Sequence, residues 1–149
     1  MSDLNIALFQ PDIAQNVGTI MRMCACLDIT LHVIEPCGFP WDRKKIRQSG
    51  MDYIDHVQLV RHDSWDHFLA HSDGARLILM TTKGAQPYTG FTYKSGDYLV
   101  AGSESTGAPD YVHDRADGRV LIEMSPQMRS LNVACATAMI TGEALRQIK

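Results

Sequence analysis

Two short segments of the chain have the residue types of a ligand site. Residues 98–109 have the sequence YLVAGSESTGAP, a buried strand that runs into a glycine-rich turn with one acid, Glu104. Residues 120–132 have the sequence VLIEMSPQMRSLN, a second strand end followed by a turn and the start of a helix. In an open α/β sheet, ligands bind where strand ends of this kind meet. The two segments therefore predict one shared ligand site.

A framework of alternating strands and helices must position these segments. The predicted strands cover residues 5–9, 30–34, 57–60, 76–81, 98–101 and 119–122. The predicted helices cover residues 12–27, 42–49, 64–71 and 132–148, and residues 83–94 are predicted to be a loop. Asp12 and Gln15 have capping-box spacing at the start of the first helix, and Ser64 is expected to cap the third. Continuous apolar strands between helices favour an α/β fold, a mostly parallel sheet with helices on both faces.

Length and composition predict a single domain over residues 1–149. The chain has 149 residues, of which 45% are hydrophobic and 21% charged, as in an ordinary globular protein. The formal net charge is -3, so binding to a nucleic acid would need a local basic patch. No apolar run approaches the roughly 20 residues of a membrane span. Without a signal-peptide pattern at its start, the chain is expected to be cytoplasmic and to have no membrane partner.

The cysteines and histidines do not have the spacing of a metal site. The chain has 4 cysteines, with no CxxC pair and no histidine pair at zinc spacing beside them. Buried thiols in a reducing compartment are the favoured interpretation, with no metal and no disulfide. His62, His67 and His71 cluster around a predicted helix and are expected to form a solvated face.

The last predicted helix carries a stripe of small residues. Ala134, Ala138 and Gly142 recur at four-residue spacing, so another backbone can approach this face closely. Packing against the chain's own sheet and packing against a second subunit explain the stripe equally well.

Several segments, taken in their order along the chain, resemble one enzyme family. The chain is similar to the SPOUT superfamily of RNA methyltransferases, and most similar to the bacterial tRNA (cytidine/uridine-34)-2′-O-methyltransferases. The matching segments are PDIAQNVGTIMR at 11–22, LHVIEP at 31–36, WD at 41–42, GMDY at 50–53, TTKG at 81–84, GSESTG at 102–107 and RSLN at 129–132. A lone GxExxG motif would be weak, but these segments share the family's order and spacing over nearly the whole chain.

The resemblance implies a fold and a cofactor. The C-terminal segment is expected to form a trefoil knot, and S-adenosylmethionine is expected to bind between the loops after the last strands. The implied cofactor contacts are Met80, Gly102, Ile122, Ser130, Leu131 and Asn132. Gly102 would permit close approach, main-chain groups at strand ends would bind adenine and ribose, and Ile122 and Met124 would supply an apolar wall. The family also implies a homodimer.

The resemblance implies methylation of the ribose 2′-hydroxyl at wobble nucleotide 34 of tRNA. Arg22 is expected to be catalytic, with Asn16 in the same motif and Glu104 as the motif acid. Arginine scarcely deprotonates, so Arg22 is expected to orient the hydroxyl and stabilise the developing alkoxide rather than act as a base. Glu104 has an alternative structural role, in which it accepts backbone N–H groups and holds the knot turn.

Contacts with tRNA are expected from a basic segment beside Trp41, whose ring is a candidate for stacking on a base. The residues of this segment are Arg43, Lys44, Lys45 and Arg47, and Lys83 is a further candidate. A solvated helix face is the alternative interpretation of the same residues.

The sequence departs from the family pattern at four positions. Gly142 stands where a tyrosine is usual, Ala101 replaces an aromatic residue, and Ser103 and Glu123 each replace a proline. These changes remove no proposed chemical group. Two alternative functions remain: 2′-O-methylation at another tRNA position or in rRNA, and a non-enzymatic nucleotide- or RNA-binding module.

Overall fold

One parallel sheet forms the framework of the protein. The structure, a computed structural model, describes residues 3–42, 44, 46, 55–128 and 130–149. Within these residues the strands are β1 (Leu4–Phe9), β2 (Thr30–Ile34), β3 (Leu59–His62), β4 (Leu77–Met80), β5 (Gln86–Pro87), β6 (Asp97–Ala101) and β7 (Gly118–Leu121). They form a sheet in the order β3-β2-β1-β6-β4-β7-β5, and every strand pair is parallel.

Helices connect the strands. They are α1 (Ala14–Leu27), α2 (Trp65–His71), α3 (Asp110–Arg115) and α4 (Val133–Ile148), with a 3₁₀ turn at Tyr88–Gly90. In the part of the chain that the structure describes, no helix is long and apolar enough to cross a membrane.

Apolar cores cover both faces of the sheet, as the continuous apolar strands predicted. On β1, Ile6 and Leu8 belong to the core that includes Ile20 of α1 and Ile140 of α4. The intervening residue Ala7 belongs to a second core, together with residues of α2 and α3. Successive side chains of a strand point to opposite faces, so β1 is buried on both sides. The α/β architecture with helices on both faces is therefore confirmed.

The strand order reverses beside β1. The chain proceeds from β1 to β2 and β3 on one side, whereas β6, β4 and β7 lie on the other side. Crevices for ligands form at such a reversal, at the carboxyl ends of the strands. The turns that follow β6 and β7 both begin at this edge. The topology therefore brings together residues 98–109 and 120–132, the two segments that predict a ligand site.

Several predicted elements differ from the structure. Strand β3 covers Leu59–His62 instead of 57–60, and residues 83–94 contain β5 and the 3₁₀ turn. Helix α3 was not predicted, since its six residues are too few to show a helical period. The predicted helix over 42–49 lies partly outside the described residues.

The expected solvated histidine face is wrong for one of its three members. His67 and His71 are exposed, but His62 is 0% exposed and contacts His32, another buried histidine. The prediction of buried thiols agrees with the structure at Cys24, which is buried and free, but it is wrong for Cys26 and Cys135, which are exposed. Burial raises the pKa of the Cys24 thiol to about 12, which makes it an inert apolar residue.

Candidate functional site

A cavity of about 550 Å³ lies at the carboxyl edge of the sheet. Its buried floor includes Ala101, Val120 and Ile140, which belong to the main apolar core. All six residues that the resemblance implies as cofactor contacts line this cavity: Met80, Gly102, Ile122, Ser130, Leu131 and Asn132. The structure thus brings together residues from both suggestive segments and from the end of β4.

Gly102 is needed for the shape of the turn itself. A Cβ atom at this position would lie 2.6 Å from the carbonyl carbon of Gly107 and 2.7 Å from the nitrogen of Ala108. Ser103 and Gly107 close the turn with two backbone hydrogen bonds of 3.1 and 2.8 Å, and Gly107 has a φ of +70°. The backbone of Gly102 therefore lies so close to the backbone of Gly107 and Ala108 that no side chain fits at position 102.

The Glu104 carboxylate holds the start of α1. Oε1 accepts the backbone N–H of Asp12 at 3.0 Å, and Oε2 accepts the backbone N–H of Ile13 at 3.1 Å. Oε2 also accepts a hydrogen bond from the side-chain amide of Asn16 at 3.1 Å. Because both oxygens are already occupied by donors from α1 and its approach, this geometry favours the structural role over proton transfer.

The predicted capping box of α1 is wrong. The residue before the helix is Ile13, and no side chain caps the first turn from that position. The Asp12 carboxylate instead accepts the backbone N–H of Glu104 at 3.1 Å and the hydroxyl of Ser105. The hydrogen bond from Ser105, followed by the contact with Glu104, lowers the pKa of Asp12. The carboxylates of Asp12 and Glu104 thus each accept the backbone N–H of the other residue.

Asn16 and Asn132 extend this network to the last helix. The Asn132 side chain accepts the backbone N–H of Ala134 at 2.8 Å and of Cys135 at 3.2 Å, and so caps α4. Its amide donates to Oδ1 of Asn16 at 3.1 Å. The hydrogen bonds that Asn132 donates to Asn16 and Asn16 donates to Glu104 therefore fix both turns of the cavity relative to α1 and α4.

Sequence reasoning missed several cavity residues, and His113 and Thr137 are two buried polar ones. His113 is 6% exposed and lies on α3, a helix that was not predicted. Thr137 of α4 is 0% exposed, and its hydroxyl has no hydrogen-bond partner among the described residues. A buried polar atom of this kind usually has a partner, so a hydroxyl on a cavity wall is suited to a polar ligand. Helical spacing alone predicts that Thr137 is buried, but it does not predict the cavity.

Arg22 does not line the cavity in this chain. Among the described lining residues, the titratable side chains are Lys83, Glu104 and His113. Arg22 is exposed on α1, whereas Asn16 on the same helix is buried against the cavity. Six residues of helix separate the two, which places them about 120° apart around the axis and about 9 Å apart along it. The cavity and Arg22 therefore belong to different faces of α1.

The predicted basic segment is only partly described. Arg43, Lys45 and Arg47 lie outside the described residues, and Lys44 is exposed. Trp41 is half-buried, and the guanidinium of Arg61 lies 4.3 Å from its ring centroid. A cation thus already covers the tryptophan that sequence analysis suggested for base stacking. Lys83 is exposed at the rim of the cavity.

The stripe of small residues on α4 divides between two environments. Ala134 is 7% exposed and packs in the main core, whereas Ala138 and Gly142 are exposed. A Cβ atom on Gly142 would meet none of the described residues within 4 Å. Among the described residues, no group of three histidine, cysteine or acidic side chains is placed to hold a metal ion.

Comparison with known proteins agrees with this geometry. The model of the SpoU rRNA Methylase family matches residues 3–142. The tRNA (cytidine(34)-2′-O)-methyltransferase of Beijerinckia indica is 53% identical over 145 residues, which cover 96% of this chain and 91% of that protein. The enzyme of the same name from Escherichia coli K12 is 40% identical over 147 residues, covering 97% of this chain and 94% of that protein.

A solved structure described as "Structural insights into the 2-OH methylation of C/U34 on tRNA" has the same fold. It has a TM-score of 0.92 and 39% sequence identity, and the match covers 97% of this chain and 95% of that one. With its parallel sheet, its cavity at the strand ends and these matches over almost its full length, the chain belongs to the SpoU methylase family of RNA methyltransferases.

Proposed function

We propose that this protein is a cytoplasmic enzyme that methylates the ribose 2′-hydroxyl of nucleotide 34 in tRNA, with S-adenosylmethionine as the methyl donor. The observation that carries the proposal is the cavity at the carboxyl edge of the sheet, which residues from β4, β6, β7 and α4 line together. The relatives named for methylation at position 34 support the choice of substrate.

The cavity is chemically suited to the cofactor. About 550 Å³ is within the usual range for a small-molecule site, and the floor of Ala101, Val120 and Ile140 suits the flat face of an adenine. Main-chain groups beside Gly102 and Ile122 can bind the edges of the base and ribose, and the Thr137 hydroxyl supplies a buried polar group. When bound, S-adenosylmethionine supplies a methyl group on a positively charged sulfur.

Arg22 is the catalytic residue of this proposal. In the transfer, the ribose 2′-oxygen forms a bond to the methyl carbon, S-adenosylhomocysteine is the leaving group, and the hydroxyl proton passes to solvent water. Negative charge develops on the ribose oxygen as this proton leaves. The guanidinium of Arg22 supplies a positive charge and planar N–H donors, so it orients the hydroxyl and stabilises this charge. Asn16 and Glu104 act one step away from the reaction, because their hydrogen bonds fix α1 against the cavity.

The proposed role of Arg22 needs a second copy of the chain, because Arg22 does not line the cavity of its own protomer. The exposed stripe of α1 carries Gln15, Thr19 and Arg22, and the exposed face of α4 carries Ala138 and Gly142. Apolar side chains border these faces, including Met139 and Leu131, which are 43% and 42% exposed. A homodimer that buries these faces brings Arg22 of one protomer towards the cavity of the other.

A transfer assay tests the activity and its position. The purified protein is incubated with radiolabelled S-adenosylmethionine and anticodon stem-loops that carry C34 or U34. We expect incorporation into a stem-loop with a ribose at position 34 and none when that ribose is 2′-deoxy. Incorporation that persists in the 2′-deoxy stem-loop would move the target to another nucleotide. Failure to bind S-adenosylmethionine in calorimetry would favour a non-enzymatic RNA-binding module.

A mixed dimer tests the role of Arg22. Arg22→Ala is expected to bind the cofactor normally and to lose about 10²–10³ in rate, as for loss of one charge-stabilising group. Ser130→Trp, at an exposed position on the cavity wall, is expected to block cofactor binding. Mixing these two inactive variants should restore activity, since one site of the mixed dimer is intact. If the mixture stays inactive while both variants form dimers, Arg22 does not act across the interface.

A further inference from the structure

The turn after β4 forms one wall of the cavity, and side chains from elsewhere hold its shape. Thr81, Thr82 and Lys83 line the cavity, and Gly84 completes the turn with a φ of +60°. The backbone N–H of Thr81 donates to the carbonyl of Val120 at 3.0 Å, which continues the β4–β7 pairing. Beyond that point, the turn leaves the sheet and depends on side-chain contacts.

A buried histidine of α3 provides the first of these contacts. Nε2 of His113 lies 2.7 Å from the hydroxyl of Thr81, and Nδ1 lies 3.2 Å from the carbonyl oxygen of Pro109. A carbonyl can only accept, so Nδ1 carries the proton and Nε2 of the neutral ring is an acceptor. The Thr81 hydroxyl must then donate to Nε2, which leaves its oxygen free to accept the backbone N–H of Lys83 at 3.2 Å.

An arginine of β7 provides the second contact. Nη1 of Arg119 donates to the carbonyl of Lys83 at 3.2 Å, and Nη2 donates to the carbonyl of His113 at 3.2 Å. Arg119 thus joins the far side of the turn to the same helix that holds Thr81. The hydrogen bonds form a closed circuit through Thr81, Lys83, Arg119 and His113.

We propose that His113 is a positioning residue of the cofactor site, which acts through Thr81 to hold the 81–84 turn in its binding shape. The inference rests on the proposed function, because it assigns the cavity to S-adenosylmethionine. A turn that is fixed before binding lowers the ordering cost of binding, so loss of the His113–Thr81 hydrogen bond should weaken affinity. It should leave the rate of methyl transfer at saturating cofactor unchanged, since neither side chain is placed near the acceptor ribose in our proposal.

A double-mutant cycle tests the proposal. Thr81→Val and His113→Phe each remove one partner of the hydrogen bond while nearly preserving volume. Calorimetry with S-adenosylhomocysteine should show about a fivefold loss of affinity for each variant, as for one net hydrogen bond. The double variant should lose less than the sum of the two single variants, because both changes remove the shared His113–Thr81 hydrogen bond, although each also removes one contact of its own. In the transfer assay, KM for the cofactor should rise and kcat should stay constant.

Two controls separate positioning from general stability. His113→Gln can still accept from Thr81 and should recover part of the affinity. His56→Phe changes an exposed histidine away from the cavity and should bind normally. Unchanged affinity in Thr81→Val and His113→Phe, or fully additive losses in the double variant, would overturn the proposal. If the unmodified protein itself does not bind S-adenosylhomocysteine, the proposed function fails first, and this inference fails with it.

Discussion

Acid should destabilise this protein through a chain of three histidines between β2, β3 and α2, of which His32 and His62 are buried. Nδ1 of His32 lies 2.9 Å from Nε2 of His62, and Nδ1 of His62 lies 3.1 Å from Nδ1 of His67. Nε2 of His32 is 3.4 Å from Oδ1 of Asn5. One set of neutral tautomers satisfies the chain: His67 donates to His62, His62 donates to His32, and His32 donates to Asn5.

A proton added to His32 would break this chain. It would have to bind at Nδ1, which faces the N–H of His62. Burial is the main reason that the pKa of His32 falls from 6.5 to about 4, and repulsion from His62 and His71 contributes further. The pKa of His62 is also lowered, by burial and then by His71 and His67, while Asp63 acts in the opposite direction.

The sign and size of the effect follow from linkage. Above pH 6.5 His32 is neutral in both the folded and unfolded states, and its titration does not affect stability. As the pH falls from 6.5 towards 4, the unfolded chain takes up a proton that the folded chain excludes, so the free energy of unfolding decreases. For a shift from 6.5 to about 4, the loss from His32 alone between pH 7.5 and pH 5 is about 2 kcal/mol.

Urea unfolding at these two pH values measures the loss. His32→Gln cannot be protonated but can still form hydrogen bonds, so its stability should depend less on pH by about 2 kcal/mol. It should be less stable than the unmodified chain at pH 7.5, because the packing against Phe68 and Tyr98 changes. His56→Gln, at an exposed histidine, should keep the full pH dependence. Equal pH dependence in His32→Gln and the unmodified chain would refute the linkage argument.

Three further predictions concern the site and its assembly. Glu104→Gln should lower the free energy of unfolding by about 2 kcal/mol, since an amide replaces a carboxylate that accepts three hydrogen bonds. The control Glu123→Gln, at an exposed position, should leave the free energy of unfolding unchanged. If Glu104→Gln keeps its stability but loses activity, Glu104 is instead a catalytic acid. Gly102→Ala should cost about 1–3 kcal/mol in urea unfolding because its Cβ meets backbone at 2.6 Å, whereas Gly90→Ala, with 3.9 Å to its nearest neighbour, should be tolerated. Gly142→Arg should convert the proposed dimer to a monomer in light scattering, and a dimer that persists would contradict the interface on α4.

The sequence predicted the framework because its signals are local. The apolar runs of β1, β2 and β6 and the long periodic helices α1 and α4 were found close to their observed bounds, and parallel pairing follows from their alternation. The family resemblance brought the six cofactor positions together, and the structure places them around one cavity. The trefoil knot remains a prediction from the family, since no residue pattern specifies it.

Two of the wrong predictions share one cause, since in each a distant partner replaced a local one. Asp12 and Gln15 have capping-box spacing, yet the acceptor at the start of α1 is Glu104, 92 residues away from Asp12. His62 has the surroundings of a solvated helix face, but its partner His32 lies 30 residues away on the neighbouring strand. Sequence spacing describes contacts within one element, so it cannot identify side chains that the sheet brings together.

Helix α1 connects the two halves of the proposed mechanism. Its buried face is fixed to the cavity by the hydrogen bonds of Asn16 with Glu104 and Asn132. Its exposed face carries Arg22, about 120° away around the axis. A helix is rigid over this distance, so any shift of the 102–107 turn would also move the arginine that serves the partner's cavity. The Glu104 network would then set the position of the cofactor wall in one protomer and of the catalytic cation in the other. In the proposed mechanism, this coupling would give Glu104 a reason to use both its oxygens on α1 and the residues that lead into it.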